Sequence, residues 1–355
     1  MDGVDASIIQ SDGEKKYKVI LDKYFEYPQA IYKHLVKLRD KIKNLKDLKK
    51  FSKEIKNIEK KITLFHAAAT NQILKKIKVN VDFIGFHGQT IYHNAEEMIS
   101  KQLGDGKLLS NLTKKKVVYN FRENDLKNGG EGAPLTPIFH KMLSKKLDIN
   151  PVIFVNIGGI ANLTSVNSRH ETHSSDCGPG MCLIDQWIRI NSKKKFDKNG
   201  LIAKTGIINE VALKKYNDQI VTVLHQAIKS FDINDFNLDF VRGLSIADGA
   251  ATLTEFTVDN IIERVRLFCS EKSKVVLCGG GRKNNFLIDR IKKRSIEFSE
   301  LFELKKIDDY GVDGDFIESQ AFAYLAIRSY LKLPISFPET TGVSSPCVGG
   351  VIIKN

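Results

Sequence analysis

Val152-Ile153-Phe154-Val155-Asn156-Ile157-Gly158-Gly159 is the stretch on which the fold turns: an apolar strand that ends in paired glycines. A backbone turn without Cβ atoms can approach an anion closely, with successive N–H groups pointing outward together, and phosphate suits such a turn. Downstream an acid sits inside a second glycine turn, Asp176-Cys177-Gly178-Pro179-Gly180. Asp176, flanked by turns that hold it rigidly, is the kind of carboxylate that accepts a proton from a nucleophile. Either segment alone also reads as a surface turn, with Asp176 merely solvated. Together they point to a site.

The same pattern recurs where Val275-Val276-Leu277-Cys278 runs into Gly279-Gly280-Gly281-Arg282-Lys283-Asn284-Asn285 and then an apolar-periodic helix with Leu287, Ile288 and Ile291. It is not a P-loop, because no G-x-x-x-x-G-K-[ST] occurs, and it lacks the third glycine of a dinucleotide fingerprint. Two glycine turns after two strands, more than a hundred residues apart, fit the actin and sugar-kinase type of fold. There, turns from two similar domains close over one nucleotide, an inference that rests on fold analogy.

A chain of 355 residues is long for one core and suggests two domains. At 42% apolar and 27% charged it has the composition of an ordinary soluble globular protein. No apolar run approaches the roughly 18 to 20 residues that span a bilayer. The opening Met1-Asp2-Gly3-Val4-Asp5 is acidic where a signal peptide is basic and then apolar. A cytoplasmic protein without a membrane partner is therefore expected. Cys177, Cys182, Cys269, Cys278 and Cys347 are odd in number and lack C-x-x-C spacing, so neither a disulfide framework nor a zinc site is indicated. The net charge of +13 invites a nucleic-acid reading. The lysines, however, lie along amphipathic stretches such as 41 to 61, with Leu45, Leu48, Ile55, Ile58 and Ile62 on the apolar face. No nucleic-acid motif accompanies them, and nucleic acid is not expected as a partner.

Along the chain, Val4, Ala6 and Ile8 alternate, a polar turn follows at Ser11-Asp12-Gly13-Glu14, and Tyr17, Val19 and Leu21 resume the period of two, which predicts a hairpin over 3 to 25. Helices are expected over about 28 to 44 and 47 to 77, strands at Val81 to Phe86 and Lys116 to Tyr119, and a helix opening at Pro137. Strands alternate with helices throughout, so the class is α/β. The domain boundary is placed at Asp148-Ile149-Asn150-Pro151, giving domains over 1–150 and 151–314 and a C-terminal helix and tail over 315–355 that returns to pack across the first.

Taken in order, several segments resemble the anhydro-N-acetylmuramic acid kinase family. They are Gly85-Phe86-His87-Gly88-Gln89-Thr90, Gln102 to Gly106, Phe121-Arg122 with Gly129 to Pro134, Asn156 to Leu163, Asp176 to Gly180 with Asp185, Gly279-Gly280-Gly281, Glu318 with Ala321-Phe322-Ala323, and Thr341-Gly342. The resemblance implies two actin-like (ribonuclease H-like) domains around a central nucleotide cleft, with ATP and Mg²⁺ as cofactors and a small amino sugar as substrate. It implies a reaction in which water opens the 1,6-anhydro bridge and the released O6 takes the γ-phosphoryl group, giving N-acetylmuramate 6-phosphate and ADP. By carry-over Asp176 is the base. Thr90 and Arg122 bind the sugar, Arg122 because a guanidinium makes a bidentate contact with a carboxylate. Glu318 stands on the substrate side, although Asp315-Phe316-Ile317-Glu318 also reads as a helix cap. Asp2, Gly3, Asp5, Gly158, Gly159, Gly279, Gly280, Gly281 and Asn284 would surround the nucleotide. The Mg²⁺ ligands stay unassigned, His87 is expected to fix its loop by hydrogen bonding, and a homodimer is compatible with the resemblance. A cleft of this kind opens and closes about hinges expected near Asn150-Pro151 and the start of the helix at 315.

The chain departs from the family pattern in places. Relatives begin with a strand leading to Gly-Thr-Ser before Met-Asp-Gly-Val-Asp, whereas this sequence starts at that Met, so either a longer N-terminus precedes Met1 or the phosphate hairpin is impaired. Asn120 and Met181 replace a usual Asp and Asn, and a segment reading Lys-Ser-Thr-Gly-Arg-Glu appears as Lys229-Ser230-Phe231-Asp232-Ile233-Asn234. The alternative to a kinase is a non-catalytic sugar-binding or regulatory relative that keeps the cleft and has lost the phosphate hairpin.

Overall fold

The computed structural model describes residues 2–224, 231 and 233–354. The chain forms two compact units, Met1–Met142 with Phe316–Asn355, and Leu143–Asp315. It opens with the hairpin β1 (Gly3–Ser11) and β2 (Tyr17–Glu26), then α1 (Gln29–Lys41), α2 (Leu45–Lys50) and α3 (Ser52–Leu74). Next come β3 (Phe83–Phe86), β4 (Gln89–Asn94), β5 (Ile99–Leu103), α4 (Gly106–Thr113), β6 (Lys116–Tyr119), α5 (Glu123–Lys127) and α6 (Pro137–Leu147). They are followed by β7 (Val152–Ile157), β8 (Ile160–Val166), β9 (Thr172–Pro179), α7 (Cys182–Asn191), α8 (Glu210–Leu224), α9 (Ile246–Phe268), β10 (Ser273–Cys278), α10 (Asn285–Ser295) and β11 (Phe302–Lys306). The chain closes with α11 (Ile317–Tyr330), α12 (Pro338–Thr341) and β12 (Val351–Ile353).

The α/β class read from the alternation of strands and helices is the class of the structure. In the second unit the five-stranded sheet has the order β11-β10-β7-β8-β9. β7 runs parallel to β10 and antiparallel to β8. Its sequence VIFVNI carries no polar alternation because it is the central strand, buried along nearly its whole length. Ile153, Val155 and Leu277 pack in one cluster with Ile261 and Val265 of α9 and Leu287 and Ile291 of α10. Full burial of each such side chain contributes about 2 kcal/mol.

In the first unit α3 turns Ile55, Ile58 and Ile62 onto Leu35 and Leu38 of α1 and onto Val4 and Leu103. The single helix expected over 47 to 77 is divided, because Phe51 at φ −98°, ψ 16° leaves helical geometry between α2 and α3. Asn44 caps α2 by accepting from the N–H groups of Lys46 and Asp47. The strand expected from Val81 begins at Phe83.

α11 organises this unit. A Cβ on Gly85 of β3 would lie 2.6 Å from the Phe322 carbonyl oxygen and 2.9 Å from Ala326 Cβ, so only glycine lets the helix seat on the strand. On the β1–β2 side, Tyr324 and Arg328 both donate to the Gly13 carbonyl at 2.8 and 2.7 Å, and Gln320 donates to Asp22 at 2.8 Å. Gly85→Val should therefore destabilise the chain by about 2 kcal/mol or more, through overpacking that neither backbone can relieve. Chemical denaturation measures this, and an unchanged midpoint would contradict the seating of α11 on β3.

Candidate active site

In the second unit, pairing of β10 with β7 sets Cys278 opposite Asn156. The two glycine turns therefore leave adjacent parallel strands side by side at their C-terminal ends, where ligands of open α/β sheets bind. A Cβ at Gly279, whose φ is +77°, would meet Asn156 Oδ1 at 2.3 Å, and one at Gly281 would meet Ile157 Cγ2 at 2.3 Å. Those two glycines are required by the packing of one turn on the other. Gly158, Gly159 and Gly280 have no such crowding: the nearest atoms to added Cβ atoms at 158 and 159 lie at 3.4 and 4.0 Å, and at 280 nothing lies within 4 Å. Their open backbone is the surface a ligand phosphate can reach.

Arg282 locks the second turn. The side chain is buried, donating to Gly279 O at 3.0 Å, to both oxygens of Asp308 at 2.7 and 2.9 Å, and to Asp315 at 2.6 Å. Burial pulls the pKa of the guanidinium down, but the Asp308 and Asp315 carboxylates more than offset this and leave it raised. Asn284, expected to touch nucleotide, is the N-cap of α10: its Oδ1 accepts from Leu287 N–H at 3.0 Å. Its Nδ2 is buried with no hydrogen-bond partner.

Asp176 stands on β9. The ladder to β8 pairs Ala161 with Gly178 and Asn162 with Asp176, so Cys177 is an extra residue, a β-bulge. Cys177 goes into the core. The bulge re-aims the neighbouring side chain, as bulges beside active sites do. Asp176 is 9% exposed, and its Oδ2 accepts from the Phe231 backbone N–H at 2.7 Å. That bond holds the carboxylate in one orientation. Turn residues Gly180, Met181 and Cys182 donate to the carbonyls of Gly159, Gly158 and Gly159 at 2.9, 2.8 and 3.1 Å, tying the Asp176 turn to the first glycine turn. Of the altered segment from Lys229 to Asn234, Lys229, Ser230 and Asp232 lie outside the described residues.

The first unit gathers the other expected residues. Asp2, Gly3, Asp5, Thr90, Arg122 and Glu318 all line one cavity of about 1390 Å³. Gly3 is also demanded locally, since a Cβ there would lie 2.5 Å from Phe25 O. Thr90 Oγ1 accepts from Gln102 Nε2 at 3.2 Å. Glu318 is exposed in the first turn of α11. The capping alternative for it does not hold, because Phe316 is the N-cap and makes no side-chain cap bond.

Arg122 is held by its surroundings. Nη1 donates to Gly132 O at 2.8 Å, and Nη2 lies 3.1 Å from His87 Nε2. His87 Nδ1 lies 3.0 Å from the Gly88 carbonyl, which can only accept, so the proton sits on Nδ1 and Nε2 accepts from Arg122. Burial, helped by the Arg122 charge, pushes the His87 pKa down to about 3 and keeps the ring neutral. The sequence did not single out Asp125. Buried, it accepts from Gly132 N–H at 2.6 Å and from Thr341 Oγ1 at 2.6 Å, and so fixes the loop whose carbonyl holds Arg122. Asn120 sits at φ +58°, a left-handed conformation that Asn tolerates, and donates to Glu123.

The model of the anhydro-N-acetylmuramic acid kinase family matches residues 1–355. The chain belongs to this family. It is 53% identical over 362 residues to the anhydro-N-acetylmuramic acid kinase of Pelagibacter ubique, covering 100% of this chain and 96% of that protein. The enzyme of the same name from Agrobacterium fabrum is 35% identical over 360 residues, with 100% and 96% covered. Among solved structures, a ROK family protein from Streptococcus pneumoniae in complex with sucrose aligns over 91% of this chain and 98% of its own, at 12% identity and a TM-score of 0.33. That likeness is too loose to carry an argument. Membership of the anhydro-N-acetylmuramic acid kinase family makes the chain a phosphotransferase that uses ATP on a small-molecule sugar. Among the described residues no helix is long and apolar enough to cross a membrane.

The first unit has a pH dependence of its own. Burial pushes His140 down to about 3 and His66 to about 4, against an ordinary value of 6.5. Between those limits the unfolded chain binds more protons than the folded one, so the stability present above pH 6.5 is lost as pH falls. Melting temperature should drop from pH 6.5 towards pH 4, and less steeply in His140→Gln. A flat profile, or an identical slope in the variant, would contradict neutral burial of His140.

Proposed function

We propose that this chain is an ATP-dependent kinase of 1,6-anhydro-N-acetylmuramic acid, acting in the cytoplasm with Mg²⁺ and releasing N-acetylmuramate 6-phosphate and ADP. The observation that carries the reading is Asp176, a nearly buried carboxylate oriented by the Phe231 N–H and tied through its turn to the Gly158-Gly159 hairpin. Opening the anhydro bridge requires a base that removes a proton from water as its oxygen attacks the anomeric carbon. The C1–O6 bond breaks, O6 leaves as the electron pair moves onto it, and O6 then bonds to the γ-phosphorus with ADP as leaving group. Asp176 is the residue whose setting suits that base.

The roles of the remaining residues follow from their chemistry. Phosphoryl transfer needs positioning and stabilisation of charge more than covalent chemistry from the protein. Open backbone at Gly158, Gly159 and Gly280 supports a nucleotide-phosphate role, and Gly279 and Gly281 shape that turn. Arg122, oriented by His87 and Gly132, takes the lactyl carboxylate in a bidentate contact. Thr90 and Glu318 offer hydrogen-bonding groups to the sugar. Mg²⁺ binds through one or two carboxylates plus substrate phosphates and keeps several waters. Asp2 and Asp5 are oxygen donors of that kind on the cavity wall. The ion would be held there by those carboxylates together with the phosphates of the nucleotide. When bound, it neutralises charge on the phosphates.

The test is direct. Purified chain incubated with the anhydrosugar and Mg·ATP should yield one sugar 6-phosphate per ADP. Asp176→Asn should lower kcat by about 10³-fold, in the range of a lost general base, with ATP affinity nearly unchanged. Arg122→Lys should instead raise KM for the sugar by about 10- to 100-fold, as expected when a charge-assisted bidentate contact is lost. Absence of sugar phosphate would refute the activity, and normal turnover by Asp176→Asn would place the base elsewhere.

A further inference from the structure

Positive charge is concentrated in one part of the chain. Residues 29–78 hold fifteen of the 55 Lys and Arg residues but only four of the 42 Asp and Glu residues, and so eleven of the thirteen net positive charges. The rest of the chain is close to neutral, so a bias towards lysine along the whole sequence does not account for the excess.

This stretch is the helical layer α1 to α3 of the first unit. Its inner side is set by packing: Leu35 and Leu38 of α1 and Ile55, Ile58 and Ile62 of α3 share one core cluster with Val4 and Leu103. Tyr27, just ahead of α1, sets its ring 5.0 Å from Phe65, beyond the middle of α3, whereas Lys41 at the end of α1 reaches Glu54 near the start of α3 at 3.0 Å. The two helices are therefore antiparallel and side by side. Their outward faces form one convex surface about 20 Å long and two helices wide. With the apolar positions turned inward, the helical period puts Lys33 and Lys37 of α1 and Lys53, Lys56 and Lys60 of α3 on the opposite side, and all five are exposed.

The acids of the layer do not answer these charges. Glu54 is engaged by Lys41 and His34 at 3.0 and 3.1 Å, Glu59 by Lys101 and the Gly104 N–H at 2.7 and 3.2 Å, and Asp47 by the Lys43 N–H at 3.0 Å. The fourth, Asp40, pairs with Arg39 beside it at 2.9 Å. Among the described residues none of the five lysines is in an ion pair. Like charges three and four residues apart destabilise a helix, so Lys53, Lys56 and Lys60 do nothing for α3 itself.

A partner for this face is anionic, and the side chains indicate its kind. Arg39, Tyr32, Phe51 and Phe65, the groups able to fork onto a base edge or stack on a base, are not among the exposed residues. The face offers point charges on flexible stems spread over a convex area, which suits a plane of negative headgroups better than a groove or a single strand.

We propose that the outer face of α1 and α3 is a docking surface for an anionic lipid bilayer, held through the headgroup phosphates. The attachment is peripheral, because the apolar faces of both helices lie in the core and nothing is left to insert. The expectation of no membrane partner rested on the lack of a spanning segment, and surface attachment requires none. The proposal does not depend on the kinase reading.

The test is co-sedimentation of the full chain with vesicles of three parts phosphatidylcholine to one part phosphatidylglycerol. The chain should bind at about 0.01 M salt, where charge acts over roughly 30 Å, and come off at about 1 M, where it acts over about 3 Å. Vesicles of phosphatidylcholine alone should not bind it. Each lysine near an anionic surface contributes about fivefold to partitioning, so Lys53→Gln, Lys56→Gln and Lys60→Gln together should weaken binding about 100-fold. Melting temperature should stay as in the parent, because these side chains are exposed. The matched control is Lys15→Gln, Lys16→Gln and Lys18→Gln, at the turn of the β1–β2 hairpin. That turn lies the length of β1, about 30 Å, from Val4 beneath the layer, so at about 0.1 M salt this variant should bind as the parent does. No binding at low salt, binding that high salt leaves intact, or equal weakening by the two triple variants would overturn the proposal. So would tighter binding to duplex DNA or single-stranded RNA than to the vesicles at the same salt, since a nucleic acid would then be the occupant.

Discussion

The register of β10 against β7 fixes the distance between two glycine turns that are far apart in the sequence. With Cys278 opposite Asn156, each turn becomes part of the other's packing, and Gly279 and Gly281 have to be glycine because Asn156 and Ile157 occupy the space of their side chains. The remaining glycines are left open to ligand. Arg282 then sets the second turn against three carboxylates, Asp308, Asp313 and Asp315. Only the guanidinium is buried, and the three carboxylates remain partly exposed, so the turn is fixed by the number and direction of the bonds to Arg282 more than by any one ion pair.

The first unit depends on a different constraint, the close seating of α11. This helix touches β3 through the missing Cβ of Gly85 and the β1–β2 hairpin through hydrogen bonds to Gly13 and Asp22. Arg122 at the same cavity is oriented through neutral His87 and through Gly132, which Asp125 holds. Arg122 is thus fixed by residues that need not contact substrate themselves, the condition for preorganised binding.

Much of this was legible in the chain. Alternation at Val4, Ala6 and Ile8 marked the first hairpin, and apolar runs ending in glycines marked β7 and β10, because strand period and glycine freedom are local properties. The family resemblance implied roles for Asp176, Thr90, Arg122 and Glu318, the last three of which line one cavity. What stayed hidden depends on pairing across the sequence. The bulge at Cys177 exists only in register with β8. The partners of Arg282 lie 26 to 33 residues away, and the clasp of Asp125 by Thr341 spans 216 residues. The break at Phe51 was missed because the apolar period continues across it. The cap that Asn284 makes on α10 also went unread, although its position ahead of an apolar-periodic helix signalled it.

The central claim is that Asp176 activates water for a single displacement at the anomeric carbon. A 1,6-anhydro bridge lies on the β face of the pyranose ring, so in-line attack comes from the opposite face and inverts the centre. Proton NMR of the first turnovers, recorded faster than mutarotation, reads the anomer formed. The account predicts that the α-anomer of the sugar 6-phosphate appears first. Initial formation of the β-anomer would contradict it, because retention requires two displacements and a covalent intermediate.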